Sequence, residues 1–275
     1  MSLQTTLYRI SITFFILLIL VACGGSVPSG SESLKASQSI NGDFVSFDIH
    51  VFGEGTEITT AGQHLMEQPL GVIELRDGEH GNDSVLVMAV HGYDSRGYEW
   101  ITGLKNMATH YGSVFFFRYD WEQCPDQIAA NLASEIKKIE KSGKYKKLII
   151  FGHSYGGMVV TYAASGLGKL DADIHVIAAP LSGFPKLLDE CDKLSYDSGD
   201  KLKYPEWSNS VRLIQHKTVH AQDGAFRELA SDPQEVDLPF YQSHELPPTM
   251  DGHRLGHNWS VTWVLDQHVG KPHRL

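Results

Sequence analysis

The feature of this sequence that most constrains its fold is a series of short apolar runs separated by longer segments of mixed polarity. Four such runs occur in the middle of the chain, at Val85–Val90, Val114–Phe117, Leu148–Phe151 and Ile174–Ile177. Strands that are buried on both faces have this composition, because helices cover both sides of a parallel sheet. The runs therefore predict a parallel sheet rather than a sheet with one face in water.

The segments between these runs have the periodicity of amphipathic helices. The clearest example has apolar residues at spacings of four, four and three, at Ile128, Leu132, Ile136 and Ile139. The segment Tyr98–Met107 and the segment after Ser154 also suit helices. Strands that alternate with helices form βαβ units. We therefore expect an α/β fold with a mostly parallel, doubly wound sheet and helices on both faces.

The rest of the chain is less regular but indicates no second domain. Residues 44–51 alternate apolar and polar side chains, as in a half-exposed antiparallel strand, and a short strand is expected at Gly71–Leu75. Residues 181–208 lack clear periodicity, so they form either a short cap over a site or a surface loop. A chain of 275 residues without repeats suits one core, and we expect a single domain over residues 43–275.

The N-terminal segment resembles an export signal. Residues 1–9 carry one Arg and no acidic residue, and residues 10–21 are almost entirely apolar. This stretch is too short to cross a bilayer, which needs about 20 residues, but it suits the apolar region of a signal peptide. The sequence Leu-Val-Ala-Cys that ends at Cys23 resembles the bacterial lipobox. The resemblance implies that residues 1–22 are removed and that Cys23 is lipidated. An uncleaved anchor and an ordinary secretory signal remain alternatives.

Lipidation would place the protein in the bacterial cell envelope, attached to a membrane and facing outside the cytoplasm. Residues 23–42 are rich in Gly and Ser, which predicts a flexible tether. Gly24, rather than Asp, follows the cysteine, and by analogy with lipoprotein sorting this favours the outer membrane in a bacterium that has two. In an exported chain Cys124 and Cys191 either form a disulfide or remain free thiols.

The charge balance argues against a nucleic-acid partner. The chain has 23 Lys and Arg against 33 Asp and Glu, a net charge of −10. Removal of residues 1–22 takes away only Arg9 and leaves 22 − 33 = −11. An acidic surface does not attract phosphate backbones. The sequence also lacks H-E-x-x-H, P-loop and dinucleotide motifs, so we expect neither a metal nor a cofactor.

The motif with the clearest chemical meaning lies at the end of the third apolar run. Residues Gly152 to Gly156 read Gly-His-Ser-Tyr-Gly, directly after Phe151 and ahead of the apolar segment 158–164. Strand, tight turn and helix in this order are the context of a nucleophile elbow, in which glycines let the strand and the helix approach each other. Ser154 is therefore the candidate nucleophile. The alternative is an ordinary serine that caps a helix.

A second motif, His91-Gly92-Tyr93, follows the first apolar run. With it, residues 85–164 resemble the α/β-hydrolase core of lipases and esterases. The resemblance implies that the backbone N–H groups of Tyr93 and Tyr155 stabilise an oxyanion. It also implies that the nucleophile is followed along the chain first by an acid and then by a histidine.

The acid is expected after the strand that opens at Val211–Ile214. Asp223, which precedes Gly224, is our choice, and Asp232 and Asp237 are its rivals.

The histidine is expected between the last strand, assigned to Leu238–Tyr241, and the last helix, assigned to Trp259–Val269. Four histidines lie in or near this region, namely His244, His253, His257 and His268. His257 lies at the junction between them in the sequence Gly-His-Asn, which resembles the corresponding segment of many family members, and we prefer it to His253. Three other histidines are expected to be structural or to line a pocket, namely His91, His153 and His220.

The resemblance implies a serine hydrolase that cleaves a carboxylic ester through an acyl-enzyme on Ser154, with His257 as base and Asp223 as its partner. The substrate would be a small-molecule or lipid acyl ester. A thioesterase or an acyltransferase would use the same three residues. A catalytically silent envelope protein that binds a ligand is an alternative of another class.

Overall fold

The computed structural model of the chain describes residues 37–38, 44–52, 55–78, 84–184, 191, 194–198 and 201–271. The predicted signal segment 1–22, Cys23 and most of the predicted tether lie outside the described residues. Two residues of that tether, Ser37 and Gln38, form a short strand. Within the described part of the chain, no helix is both long and apolar enough to cross a bilayer.

The described residues include eleven strands and five α-helices. The strands are β1 (Ser37–Gln38), β2 (Val45–Asp48), β3 (Gly71–Arg76), β4 (Val85–Val90), β5 (Ser113–Arg118), β6 (Lys147–His153), β7 (Ala172–Ile177), β8 (Val211–Lys217), β9 (Gln242–Glu245), β10 (Thr249–Met250) and β11 (His253–Arg254). The helices are α1 (Ile58–Met66), α2 (Tyr98–Tyr111), α3 (Pro125–Glu140), α4 (Tyr155–Ala163) and α5 (Gly256–His268).

Nine of the described strands form one sheet in the order β1-β2-β3-β5-β4-β6-β7-β8-β9. Neighbouring strands from β5 to β9 are all parallel, whereas β3 is antiparallel to β5. From β4 the chain moves to one side of the sheet, and from β6 it moves to the other. The loops that follow these two strands therefore diverge and leave a crevice at the carboxyl ends of the strands. The structure confirms the predicted parallel sheet, and each predicted apolar strand is extended by at most three residues.

Helices cover both faces of this sheet, because side chains alternate along each central strand. In β4, Leu86 and Met88 belong to the apolar cluster that α3 and α4 cover. Val87 and Ala89 belong to the cluster that α2 and α5 cover. β6 alternates between the two clusters in the same way. This is the α/β-hydrolase fold, as the sequence predicted.

The predicted strand at 44–51 is shorter and more buried than expected. β2 covers only Val45–Asp48, and the chain then forms a 3-10 helix from Ile49 to Phe52. β2 is parallel to β3 and antiparallel to β1, so both of its edges are paired. Ser46 and its neighbour Phe47 are both buried. The prediction of an antiparallel strand therefore holds for the pairing with β1 but not for the pairing with β3, and Ser46 is buried where a half-exposed strand would expose it.

The assignment of the last strand to Leu238–Tyr241 was also wrong. β9 begins at Gln242, where it pairs with β8. Pro239 has no N–H to donate to a ladder, and Phe240 packs against the core instead. The last helix begins at Gly256, three residues before its predicted start.

A disulfide fastens the segment 181–208 to the start of α3. Cys124 and Cys191 form a disulfide, with their Cα atoms 5.8 Å apart. From the sequence alone, these cysteines could equally have been free thiols. Leu194 and Leu202 join the apolar cluster covered by α3 and α4. The described part of this segment therefore packs onto the core.

Removal of the disulfide should lower the stability of the protein. Its two cysteines are 67 residues apart, and a link across a loop of that length restricts the unfolded chain, which contributes roughly 2–4 kcal/mol. We expect the C124A/C191A variant to lose about that much free energy of unfolding, measured by urea denaturation. Dithiothreitol should lower the stability of the wild type but not of the double variant. Equal sensitivity of both proteins would contradict the disulfide.

Three histidines pack together at a distance from the Ser154 turn. His175 on β7 and His216 on β8 share a hydrogen bond of 3.0 Å between their rings. The ring of His268, at the end of α5, lies 5.2 Å from the ring of His175. Burial, and then the neighbouring His244 and His268, lower the pKa of His216 to about 3. Burial also lowers the pKa of His175 and of His268. The fold therefore favours the neutral form of these rings.

This cluster predicts loss of stability in acid. The pKa of His216 is lower in the folded protein than the value of about 6.5 in the unfolded chain, so the unfolded chain binds the extra proton. Stability is therefore complete above about pH 6.5 and falls as the pH decreases toward about 3. We expect H216Q to reduce this slope by up to about 1.4 kcal/mol per pH unit, in urea unfolding at several pH values. H253Q, which removes an exposed histidine, should retain the slope. A wild-type slope in H216Q would contradict the burial of a neutral ring.

Candidate active site

Ser154 occupies a strained turn between β6 and α4. Its φ is +52° and its ψ is −121°, and a positive φ is unfavourable for a residue with a side chain. Strain of this kind persists only where the surrounding structure enforces it, and it is common at functional sites. The turn places Ser154 at the carboxyl end of β6, at the crevice between the diverging loops.

The glycines around Ser154 are required by close contacts between backbone segments. A Cβ atom on Gly156 would lie 2.3 Å from the carbonyl oxygen of His91, and one on Gly152 would lie 2.6 Å from the carbonyl oxygen of Gly156. A Cβ on Gly157 would lie 2.4 Å from the Cβ of Ala179. Since none of these distances leaves room for a methyl group, α4 approaches β6, the end of β4 and Ala179 this closely only with glycine at all three positions.

Asp223 lies in the turn after β8 and has no exposed surface. Its Oδ1 accepts hydrogen bonds from the backbone N–H groups of Ala225, at 2.8 Å, and Phe226, at 3.2 Å. Its Oδ2 accepts from the hydroxyl of Thr218 and from Nδ1 of His257. Burial by itself raises the pKa of Asp223, but the hydrogen bonds from His257, Thr218 and Ala225 lower it overall. The site therefore favours the ionised carboxylate.

His257 lies in the first turn of α5 and connects Asp223 to the cavity beside Ser154. The distance from its Nδ1 to Oδ2 of Asp223 is 2.9 Å. The ring packs against the edge of Phe226, with centroids 4.9 Å apart. His257 and Ser154 both line one cavity of about 290 Å³. Because Nδ1 donates to Asp223, Nε2 is the ring nitrogen left to exchange a proton there.

The other candidate acids and bases lie in different surroundings from Asp223 and His257. His253 lies in the short strand β11 and is exposed, and His244 is exposed on β9. His268 accepts or donates a hydrogen bond with Tyr111 at the far end of α5. Asp232 accepts from the backbone of Gln234 instead. The structure thus brings Asp223 into contact with His257 and places Ser154 at the same cavity, while the catalytic roles of the three residues remain predictions.

The loop after β4 lies directly against the Ser154 turn. A Cβ on Gly92 would lie 3.0 Å from Cβ of Ser154, so this approach also depends on glycine. Tyr93 is the next residue of the loop, and its hydroxyl donates to Glu122 at 2.9 Å. Tyr155 begins α4, immediately after Ser154. The backbone N–H groups of Tyr93 and Tyr155 remain the predicted donors to an oxyanion.

Three other histidines position parts of the site. His91 is buried, donates from Nδ1 to the carbonyl of Gly92 at 2.8 Å, and stacks on Tyr119. Burial lowers its pKa to about 3, so a neutral ring holds the loop. Nε2 of His153 donates to the carbonyl of His257 at 3.1 Å. His220 lies in the turn that contains Asp223 and hydrogen-bonds to a backbone carbonyl there. All three are therefore structural or line the cavity.

The sequence analysis missed Glu99 and the polar character of the cavity. Glu99 lies in the first turn of α2, is only 2% exposed, and lines the same cavity as Ser154 and His257. Nothing in the sequence distinguishes it from a solvated Glu at a helix start, where acidic residues are common. Among the described residues, no group of three or more His, Cys, Asp or Glu side chains is arranged to hold a metal ion.

Comparison with known proteins finds similar solved structures only. No protein-family model matches the chain, and no curated protein matches it. Est1E from Butyrivibrio proteoclasticus is 11% identical, with 72% of this chain and 90% of that chain covered and a TM-score of 0.48. The lipase BlEst2 from Bacillus licheniformis is 13% identical, with 74% of this chain and 97% of the lipase covered and a TM-score of 0.46. The esterase Pf2001 from Pyrococcus furiosus is 13% identical, with 69% of this chain and 80% of the esterase covered and a TM-score of 0.45. Because these TM-scores are below 0.5, the fold assignment rests on strand order and on the Ser154 turn.

The close contact at Gly156 predicts a large effect of a single methyl group. In the G156A variant the new Cβ would overlap two backbone carbonyl oxygens, which cannot move without displacing β4. We expect a loss of about 3 kcal/mol in the free energy of unfolding, measured by urea denaturation. The matched control is G224A, because a Cβ on Gly224 has no atom within 4 Å. Equal stability of the two variants would contradict the close approach of β4 and α4.

Proposed function

We propose that this chain is a serine hydrolase that cleaves carboxylic esters, with Ser154 as nucleophile, His257 as base and Asp223 as the partner of the histidine. One observation carries the proposal. A buried carboxylate hydrogen-bonds to the imidazole of His257, which opens onto the same cavity as a strained serine at the end of a central strand. Serine hydroxyls become nucleophilic when such a base accepts their proton.

In the proposed reaction, Nε2 of His257 takes the proton from Oγ of Ser154 as the oxygen attacks the acyl carbonyl. Asp223 holds the tautomer in which Nδ1 carries a proton and stabilises the imidazolium that forms. The N–H groups of Tyr93 and Tyr155 would donate to the oxyanion, an effect worth about 3 kcal/mol for each donor. The imidazolium then protonates the leaving alcohol, and water releases the acyl group from Ser154 by the same steps.

Two alternatives share parts of this proposal. A thioesterase or an acyltransferase would form the same acyl-enzyme and would differ only in the leaving group or the acceptor. A silent binding protein would have no need for an ionised, fully buried Asp223 that orients His257. Labelling by a fluorophosphonate distinguishes an active serine from a silent site. The rates of hydrolysis of matched esters and thioesters then distinguish an esterase from a thioesterase.

The proposal predicts that Ser154 and His257 are essential and that His253 is not. S154A should show no fluorophosphonate labelling and only background hydrolysis of p-nitrophenyl acetate. H257Q should lose roughly 10⁴-fold or more in kcat, since the serine then lacks a base. H253Q is the matched control and should stay within about twofold of the wild type, because this histidine is exposed. Labelling of S154A, or loss of activity in H253Q with retention in H257Q, would overturn the assignment.

We also propose that Cys23 carries lipid and holds the hydrolase domain at a membrane of the cell envelope, within reach of small-molecule or lipid esters. The support is the lipobox-like sequence that ends at Cys23. Radiolabelled palmitate should mark the wild type and the C124A/C191A variant in the bacterial host, but not C23A. The C23A protein should also leave the membrane fraction. Palmitate labelling of C23A would refute this proposal and leave the proposed chemistry untouched.

A further inference from the structure

The cavity beside Ser154 is polar, unlike a pocket that holds a fatty acyl chain. Its described lining includes Asp94, Ser95, Arg96, Glu99 and Asn258, and no Leu, Ile, Val, Phe or Met is among the described residues that line it. Pockets for apolar ligands are lined mostly by aliphatic and aromatic side chains. An alkyl chain would therefore displace water from polar groups in this cavity, and among the described lining residues only Tyr93 and Tyr98 offer it phenol rings.

His153 presents an unpaired hydrogen-bond acceptor beside the nucleophile. Its Nε2 donates to the carbonyl of His257, so in this neutral ring Nδ1 has a lone pair. Nδ1 is buried and has no hydrogen-bond partner. A Cβ built on Gly92 would lie 3.4 Å from this nitrogen and 3.0 Å from Cβ of Ser154. The acceptor therefore lies within a few ångströms of the reacting serine. Burial lowers the pKa of His153, which keeps the lone pair available.

Glu99 supplies a second unpaired polar atom to the same cavity. Its Oε1 accepts a hydrogen bond from the hydroxyl of Ser95, whereas its buried Oε2 has no partner. Burial raises the pKa of Glu99, which favours the protonated carboxyl group. Buried polar atoms without partners are rare, because each loses its bonds to water without replacement. Two such atoms, Nδ1 of His153 and Oε2 of Glu99, belong to side chains that line this cavity, so a polar ligand group there would restore their hydrogen bonding.

We propose that this cavity is a subsite for a hydroxyl group of the substrate, so that the preferred substrates are esters with a hydroxyl close to the scissile carbonyl. The proposal rests on the ester hydrolysis proposed above. A hydroxyl both donates and accepts, so it suits an acceptor such as Nδ1 of His153 as well as a protonated carboxyl group such as that of Glu99. The nearby cation of Arg96 makes an ammonium group less suitable than a neutral hydroxyl.

The test compares esters that differ only by a hydroxyl in place of a methyl group. For a hydroxyl on the acyl side, the pair is p-nitrophenyl 3-hydroxybutanoate and p-nitrophenyl 3-methylbutanoate. For a hydroxyl on the alcohol side, it is 2-hydroxyethyl butanoate and propyl butanoate. We expect kcat/KM of the wild type to favour the hydroxylated ester at least about tenfold in one pair, because a site with buried polar groups rejects an analogue that leaves them unpaired.

Variants at Glu99 connect this preference to the cavity. E99L should abolish the preference, because it should lower kcat/KM for the hydroxylated ester at least about tenfold more than kcat/KM for the methyl ester. E99Q, which keeps the shape of the side chain, gives the same comparison if E99L does not fold, and it should weaken the preference. E135Q removes a carboxylate on α3, outside the cavity lining, and should retain the wild-type preference.

The results of these assays distinguish failure of the hydroxyl subsite from failure of the proposed ester hydrolysis. Hydrolysis of both members of each pair at equal rates, abolished by S154A, would refute the subsite and leave the hydrolase in place. A preference that persists in both Glu99 variants would also refute it. Absence of any ester hydrolysis, together with absence of fluorophosphonate labelling, would refute both proposals.

Discussion

The candidate site depends on one steric constraint, which is the close approach of three backbone segments around Ser154. The end of β6, the start of α4 and the loop after β4 pack so tightly that Gly152 and Gly156 have no room for a side chain, and a Cβ on Gly92 would lie 3.0 Å from Cβ of Ser154. This packing holds Ser154 at a φ of +52°. An isolated peptide would avoid that conformation, so the buried strands and helices around it must offset its cost. The serine is therefore positioned by the rigid centre of the sheet rather than by a mobile loop.

Burial then decides which side chains at the site carry charge. Asp223 has no exposed surface, yet four donors surround its two oxygens and favour the carboxylate. His91 and His153 are buried without a carboxylate partner, so their rings remain neutral and act as fixed donors and acceptors. Glu99 accepts a hydrogen bond from Ser95, but burial is the largest influence on its carboxyl group and raises its pKa, which favours the protonated form. The two carboxyl groups thus differ in charge because more hydrogen-bond donors surround Asp223 than Glu99, while burial is the largest influence that favours the neutral form of both histidines.

The sequence predicted the central strands and the Ser154 turn because both have local causes. A strand that is buried on both faces needs a continuous apolar run, and a turn this tight needs glycine on each side of the serine. Predictions were poorer at the edges of the sheet. The strand assigned to Leu238–Tyr241 lies four residues later, and Ser46 of β2 is buried where alternation suggested exposure. Edge segments have weak patterns, since what covers them comes from distant parts of the chain.

By itself, the sequence determined the class of fold, the nucleophile candidate and the order of the groups around it. It could narrow the acid to Asp223, Asp232 or Asp237 and the base to His257 or His253, because each lies in a similar polar turn. Only the tertiary structure showed that Asp223 and His257 are in contact, because the turn after β8 folds against the start of α5 and brings together two residues 34 positions apart. The disulfide and the polar lining contributed by Glu99 were decided in the same way. Contacts of this kind depend on the path of the whole chain, and no local pattern records that path.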